Sequence, residues 1–376
     1  MIFLLGGFVF AAELEIQDDM DSVFDEPSED IVIEVPKDID YREQFEKNEK
    51  IVVSGDFIMR AGGGVGWPEA PFKERPEQVA GAYGKATISF DARPDNTIRI
   101  FGKLKTEMDS DSGSDIWKML EFDELYCDYN AVDKMFFRFG KFYMTWGQGR
   151  LFRPGNFCEN YEDGTTMRFT LPTVLDGVSF VAHYKKRTFS SSDKTIHKGD
   201  LDFLGHIDKT FGPINFSLAG LYNYDTGQRY LGSVKTNVLH TDLFGDYVLN
   251  RSDEGDITHQ GLVGFFREWT DAKLYGEYYY DGRIKGDEDH CFGMAADIDN
   301  MFGSPIGMGL KWLHAVNNEA GQFIGGFSIS PWKHVTIRAA IPWCYGDKEL
   351  DDDFYEGFPI KSKLAFTLFV ELGSSF

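Results

Sequence analysis

The chain has 376 residues, 42% of them apolar, 15% aromatic and 26% charged, with a net charge of −23. So acidic a composition gives nucleic acid no basic footprint to bind, and no apolar run reaches the roughly 20 residues that a membrane helix needs. The four cysteines, Cys127, Cys158, Cys291 and Cys344, include no C-x-x-C pair, so neither a zinc site nor a disulfide framework is indicated.

In chain order, the longest apolar run comes first, from Ile2 to Ala12. Its length suits the core of a signal peptide, and Val9-Phe10-Ala11 offers a small-residue cleavage site, so residues 1–11 are read as a signal for export. From Glu13 to Glu49 there are 15 acidic residues against 3 basic ones, which accounts for −12 of the net charge. Residues 12–49 are therefore read as an acidic, mostly disordered periplasmic segment, in which only Ile31-Val-Ile-Glu-Val35 has a strand-like pattern.

From residue 50 to 376 one theme repeats: segments of alternating polarity, cut by turn residues or by longer polar stretches. Tight turns fall at Arg93–Asn96, Ala131–Lys134, Pro172–Asp176, Thr210–Pro213, Trp269–Ala272, Asp299–Pro305 and Pro331–His334. A barrel with both ends on the periplasmic side needs an even number of strands, and Tyr230–Leu249 is too long for one. Splitting it at Leu239-His-Thr-Asp242 gives about 18 strands (16–18) in an all-β, antiparallel, up-and-down transmembrane barrel, with short turns on one side and longer loops on the other. The loops are expected near residues 61–79, 109–118, 147–165, 188–199, 224–229, 250–257, 282–288, 316–320 and 344–361. Gly62-Gly-Gly-Val-Gly66 is read as the flexible start of the first.

Alternation also assigns faces. Ile98, Ile100 and Leu104 point outward and Arg99, Lys103 and Lys105 inward; Val178, Phe180 and Ala182 oppose Ser179, His183 and Lys185; Leu274 and Tyr278 oppose Lys273 and Glu277. Extending this assigns Lys85, Glu121, Arg138, Arg168, Lys311 and Arg338 to the lining as well. Charges at strand centres would cost several kcal/mol each in a packed sandwich core, about what buried ions cost in proteins. A water-filled lumen removes that cost. The tryptophans, Trp67, Trp117, Trp146, Trp269, Trp332 and Trp343, fall mostly near strand ends, as girdle residues do, while Trp312 lies mid-strand.

The most distinctive stretch runs from Arg138 to Phe157, RFGKFYMTWGQGRLFRPGNF. Apolar parity switches at Gly140-Lys141, which predicts a β-bulge. The loop that follows is expected to fold inward and narrow the pore, with Arg150 and Arg153 opposed to Glu159, Glu162 and Asp163. The same stretch resembles a segment of outer-membrane porins of the alginate-export and related specific-porin type, in which Arg-x-Gly-Arg/Lys leads into Trp-Gly and a loop with Phe-x-Pro. The Gln that usually follows the Gly-Arg/Lys pair is here Phe142.

At the C-terminal end Leu364, Phe366, Leu368, Val370, Leu372 and Phe376 share one parity. This resembles the terminal strand of bacterial outer-membrane barrels. The resemblance implies that Phe376 belongs to the signal read by the barrel-insertion machinery, and that outer-membrane lipid surrounds the chain. No G-x-S-x-G, H-E-x-x-H or phosphate-loop pattern occurs, so no catalytic residue, metal or cofactor is expected. The expectation is a passive channel for small hydrophilic solutes. The rival is a structural or adhesive surface protein with a blocked lumen, and oligomeric state is left open.

Overall fold

The computed structural model describes residues 51–67, 71–73, 75–109, 120–131, 134–158, 164–172, 174–185, 197–283, 289–317, 319–346 and 363–375. The stretches read as signal peptide and acidic segment lie outside the described residues, as do Trp117, Glu159, Glu162, Asp163 and Phe376.

Eighteen strands follow one another: β1 (Val52–Trp67), β2 (Glu77–Ala92), β3 (Ile98–Asp109), β4 (Leu120–Ala131), β5 (Met135–Lys141), β6 (Thr165–Leu171), β7 (Val178–Tyr184), β8 (Leu201–Phe211) and β9 (Ile214–Asn223). The second half comprises β10 (Gly227–Val238), β11 (Thr241–Arg251), β12 (Ile257–Trp269), β13 (Ala272–Asp281), β14 (Asp289–Ile298), β15 (Ile306–Ala315), β16 (Ala320–Trp332), β17 (Val335–Tyr345) and β18 (Leu364–Ser375). Each pairs antiparallel with the next, and β18 returns to β1 in a register running from Asp56↔Ser375 to Trp67↔Leu364. Closure gives every one of these strands a hydrogen-bonded neighbour on both sides, the condition for a sheet to stand in lipid.

The connections fall at the places the turn residues indicated, and those on one side are mostly the longer, although β9 reaches β10 through residues 224–226 alone and β14 reaches β15 through 299–305. The division of Tyr230–Leu249 is real: β10 and β11 meet through Leu239 and His240 alone, with φ of 53° and 62°. Positive φ at both central residues gives the reversal a twist that matches the flanking strands.

Outward-facing side chains are apolar almost throughout, and Phe180, Phe203, Leu218, Val263, Phe327 and Leu368 all lie exposed on the outer parity. The opposite parity carries Arg60, Arg99, Asp128, Asp202, Asp246, Gln260, Glu277 and Glu371. A closed cylinder that is apolar outside and charged inside is a membrane-spanning barrel.

Three local expectations need correction. The glycine run Gly62–Gly66 is not a loop but the last part of β1. A Cβ at Gly62 would stand 2.2 Å from the Leu368 carbonyl oxygen, so the absence of a side chain is what lets β18 close against β1. The extra residue that resets the pleat lies in β4, where Lys103↔Glu124 is followed by Leu104↔Phe122 and Asp123 is left over, and not at Gly140. At Gly140 the chain instead prepares to leave the sheet. Trp146, read as a girdle residue, sits inside, stacked on His206 with ring centroids 5.1 Å apart.

Candidate functional site

The lumen is divided by the segment that follows β5. Gly140 has φ of 138°, and a Cβ there would meet the Leu125 carbonyl oxygen at 2.1 Å, so glycine both permits the turn and fits beside β4. Beyond Lys141 the chain turns inward. Phe142, Met144, Phe157 and Cys158 are buried with Tyr126 of β4, Val181 of β7, Leu204 of β8, Ala219 and Leu221 of β9, Leu231 of β10 and Val248 of β11. Further along, Phe152 packs with Phe244, Leu262, Tyr279, Cys291, Leu313, Ala315 and Ala320, from β11 to β16. The parity switch at Gly140 therefore marks apolar side chains turning to an apolar patch of inner wall rather than to lipid.

Two carboxylates pin the segment by its backbone. Asp246 of β11 accepts the N–H groups of Gln148 (2.6 Å) and Gly149 (3.3 Å). Glu277 of β13 accepts those of Arg150 (2.6 Å), Leu151 (3.0 Å) and Phe152 (2.9 Å). Charge-assisted bonds of this kind are about twice as strong as neutral ones. The Arg150 guanidinium lies 3.8 Å from the Phe266 ring centroid, and Arg229 donates to the Pro154 carbonyl at 3.2 Å while covering Phe157. The Arg153 carbonyl accepts the Asn156 N–H at 3.1 Å. Burial pushes the Cys158 thiol up to about 12.

The other half of the wall, from β17 through β1 to β5, is left to charged residues, which form ion pairs along it. Arg60 and Arg338 flank Glu371 at 2.6 and 3.4 Å. Glu107 receives Lys105 at 2.8 Å and Lys85 at 3.7 Å. Lys103 reaches Asp123 at 3.2 Å, and Lys141 reaches Glu121 at 3.2 Å. Lower down, Arg93 and Arg99 share Asp91 at 2.7 and 3.0 Å, while Arg138 holds Asp128 at 2.7 Å with its guanidinium 4.1 Å from the Tyr126 ring. The side chains of Lys85, Glu107 and Glu121 remain 39%, 40% and 54% exposed, so this inner face is wet.

The remaining residues singled out from the sequence stand on the other arc. Arg168 donates to Thr170 and Ser179 at 3.1 and 3.3 Å, and Lys185 pairs with Asp202 at 3.1 Å. Lys273 lies 3.8 Å from Glu268 at the short-turn end, and Lys311 of β15 is in register with Ala295 and Ile324. Sequence reasoning missed the acids that hold the basic residues, Asp91, Glu107, Asp128 and Asp202, and also Arg60 and Asp246. Parity was the available signal: Asp246 shares a side with Phe244 and Val248, an acid in an otherwise apolar row.

No family model and no curated protein matches the sequence. Among solved structures, the chain is similar to OccK3 (OpdO) of Pseudomonas aeruginosa, at 8% identity over 86% of this chain and 96% of that one, with a TM-score of 0.56. OccD3 (OpdP) of the same organism gives 11% identity, 89% and 94% coverage and a TM-score of 0.55. A BenF-like porin from Pseudomonas fluorescens gives 8%, 86% and 99%, with a TM-score of 0.51. At these identities the likeness is one of fold: a closed, porin-type β-barrel.

Proposed function

We propose that the chain is a porin of the bacterial outer membrane that lets small hydrophilic solutes diffuse down their gradients. One observation carries the reading. The inner segment covers the part of the wall that runs from β7 to β16, and the part left uncovered is a row of charged pairs, of which Lys85, Glu107 and Glu121 are the most exposed. Such a lining keeps water in the lumen, and fixed charges of both signs orient a passing solute by its dipole. The reading places the chain with the specific porins that the Arg138–Phe157 segment resembles. Residues 1–11 serve export, residues 12–49 remain on the periplasmic side, and Phe376 contributes to recognition by the insertion machinery.

Planar-bilayer recording of the purified, refolded chain tests this directly. Discrete conductance steps in potassium chloride, together with swelling of liposomes in small sugars, are expected. Silence in both assays would leave the surface-protein reading in its place.

A further inference from the structure

On the short-turn side of the inner segment, the wall from β14 to β17 holds a hollow of about 180 Å³, lined by Asp297, Asp299, Gly307, Ser328, Thr336 and Arg338 among others. That is about six times the volume that liquid water gives one molecule. The strand register accounts for it. Asp297 stands beside Gly309, Gly309 beside Gly326 and Gly326 beside Ala340, a row with almost no side chain to fill the space. On the next row Gly307 pairs with Ser328 and Ser328 with Arg338. A Cβ at Gly307 would stand 2.6 Å from the Ser328 Oγ and 3.7 Å from the Asp299 Oδ1, so here too glycine keeps the floor low. Asp297 continues the inner parity of Cys291, Gly293 and Ala295, all buried, and the inner segment meets that row at Gly293, where a Cβ would touch Leu151. The hollow therefore opens to the lumen two inner positions past that contact, toward the short turns.

Its polar groups are sorted by type. Carboxylates come from β14, through Asp297 and through Asp299 just past its end. Hydroxyls occupy the middle: Ser328, and Ser330 with Thr336, whose oxygens lie 3.1 Å apart. The far side is the Arg338 guanidinium, which donates to Glu371 at 3.4 Å. Three strand spacings separate β14 from β17, about 14 Å at the backbone. Among the described residues, neither Asp297 nor Asp299 has an ion pair within 4 Å or a side-chain hydrogen bond. Lys273, in register with Asp297, lies 3.8 Å from Glu268, and Lys311 stands two residues beyond Gly309 on β15. A hard metal ion would need more oxygen ligands than two carboxylates give, and no group of three or more His, Cys, Asp or Glu placed to hold a metal occurs among the described residues. An ammonium needs only acceptors for its N–H donors, and its bonds to carboxylate are of the strong, charge-assisted kind.

We infer that the hollow is a binding station for a small hydroxylated primary amine, an amino alcohol or amino sugar, on its way through the lumen. The ammonium lies at Asp297 and Asp299, the solute's hydroxyls exchange hydrogen bonds with Ser328, Ser330 and Thr336, and the like charge of Arg338 keeps the positive end away from β17. The inference rests on the porin reading, which fills the lumen with water and solute.

The probe is glucamine (1-amino-1-deoxysorbitol) at about pH 8, where an aliphatic amine is protonated and an ordinary carboxyl ionised. Sorbitol has its hydroxyls without the amine, and methylamine the amine without the hydroxyls. Equilibrium dialysis against the refolded full chain in detergent reads binding without any current. The parent should bind glucamine at least about tenfold more tightly than either comparison solute. Asp297→Asn/Asp299→Asn should lose about tenfold for glucamine, as expected for one charge-assisted hydrogen bond, and leave sorbitol unchanged. Ser328→Ala/Thr336→Ala should bring glucamine down toward methylamine. Asp271→Asn removes an exposed acid from the adjoining short turn and should change nothing. If a double variant does not refold, its single variants give the same reading in smaller steps, and the solute series on the parent needs no variant. Equal affinity for glucamine and methylamine overturns the inference, as does glucamine binding that survives loss of both carboxylates. So does displacement of glucamine by potassium as readily as by methylamine, which would reduce the hollow to counter-ion attraction. Conductance without glucamine binding sinks this inference alone; glucamine binding without conductance keeps the site and sinks the porin reading.

Discussion

At the scale of single residues, the lumen depends most on Glu277. Its two oxygens accept three consecutive backbone N–H groups, from Arg150 to Phe152. Removing the acceptor leaves each buried N–H unsatisfied, at about 1–3 kcal/mol apiece, so the segment does better by swinging into water. Cys158 reports that movement. Its thiol is 3% exposed and burial pushes it up to about 12, so in the closed arrangement little of it is the thiolate that reacts. With Cys127, Cys291 and Cys344 replaced by Ser, Glu277→Ala should speed maleimide labelling of Cys158 at pH 8 by at least about tenfold and raise single-channel conductance. Unchanged labelling would mean that the apolar contacts of Phe142, Phe152 and Phe157 hold the segment without the carboxylate.

At the scale of elements, the seam between β1 and β18 sets whether the cylinder closes. Gly62 and Gly64 sit against the carbonyls of Leu368 and Phe366, with room for no Cβ, whereas a Cβ at Gly84 on the next strand would meet nothing within 4 Å. Gly62→Val should therefore abolish the folded, heat-modifiable form in gel electrophoresis, while Gly84→Ala leaves its yield unchanged. These glycines also show where sequence reading stops. Alternation and turn chemistry located every reversal, including the two-residue link at Leu239-His240, because a one-residue slip would turn each strand's apolar side inward. A glycine run has no side chains to alternate, so it reads as loop although it is strand. The inner segment was opaque for another reason. Phe142, Met144 and Trp146 look the same whether they meet lipid or an apolar patch of lumen, and only the partners on β7 to β11 decide. The same holds for the charges: parity separates Arg99 and Arg138 from lipid, but that Asp91 and Asp128 neutralise them follows only from the register of β2 to β5.

At the scale of the whole molecule, the charge of the passage is set by small groups of residues along the open arc and not by the chain's net −23, more than half of which lies between Glu13 and Glu49. Glu371 is the clearest case. It stands on β18 between Arg60 of β1 and Arg338 of β17, its side chain 12% exposed and theirs 11% and 13%. Glu371→Gln keeps the shape and removes the carboxylate that these two guanidiniums share. Because the site borders water rather than a dry core, the cost in stability should be about 1–3 kcal/mol, below that of breaking a fully buried pair. The uncompensated charge of the two arginines then acts across the lumen, where low-dielectric walls focus the field. Reversal potential under a potassium chloride gradient should shift toward chloride in Glu371→Gln and shift back in Arg338→Gln/Glu371→Gln. Lys273→Gln should move it little, because Lys273 sits at the mouth beside Glu268, whose side chain is 59% exposed. A reversal potential indifferent to all three changes would mean that ions pass elsewhere than along the β17-to-β5 arc.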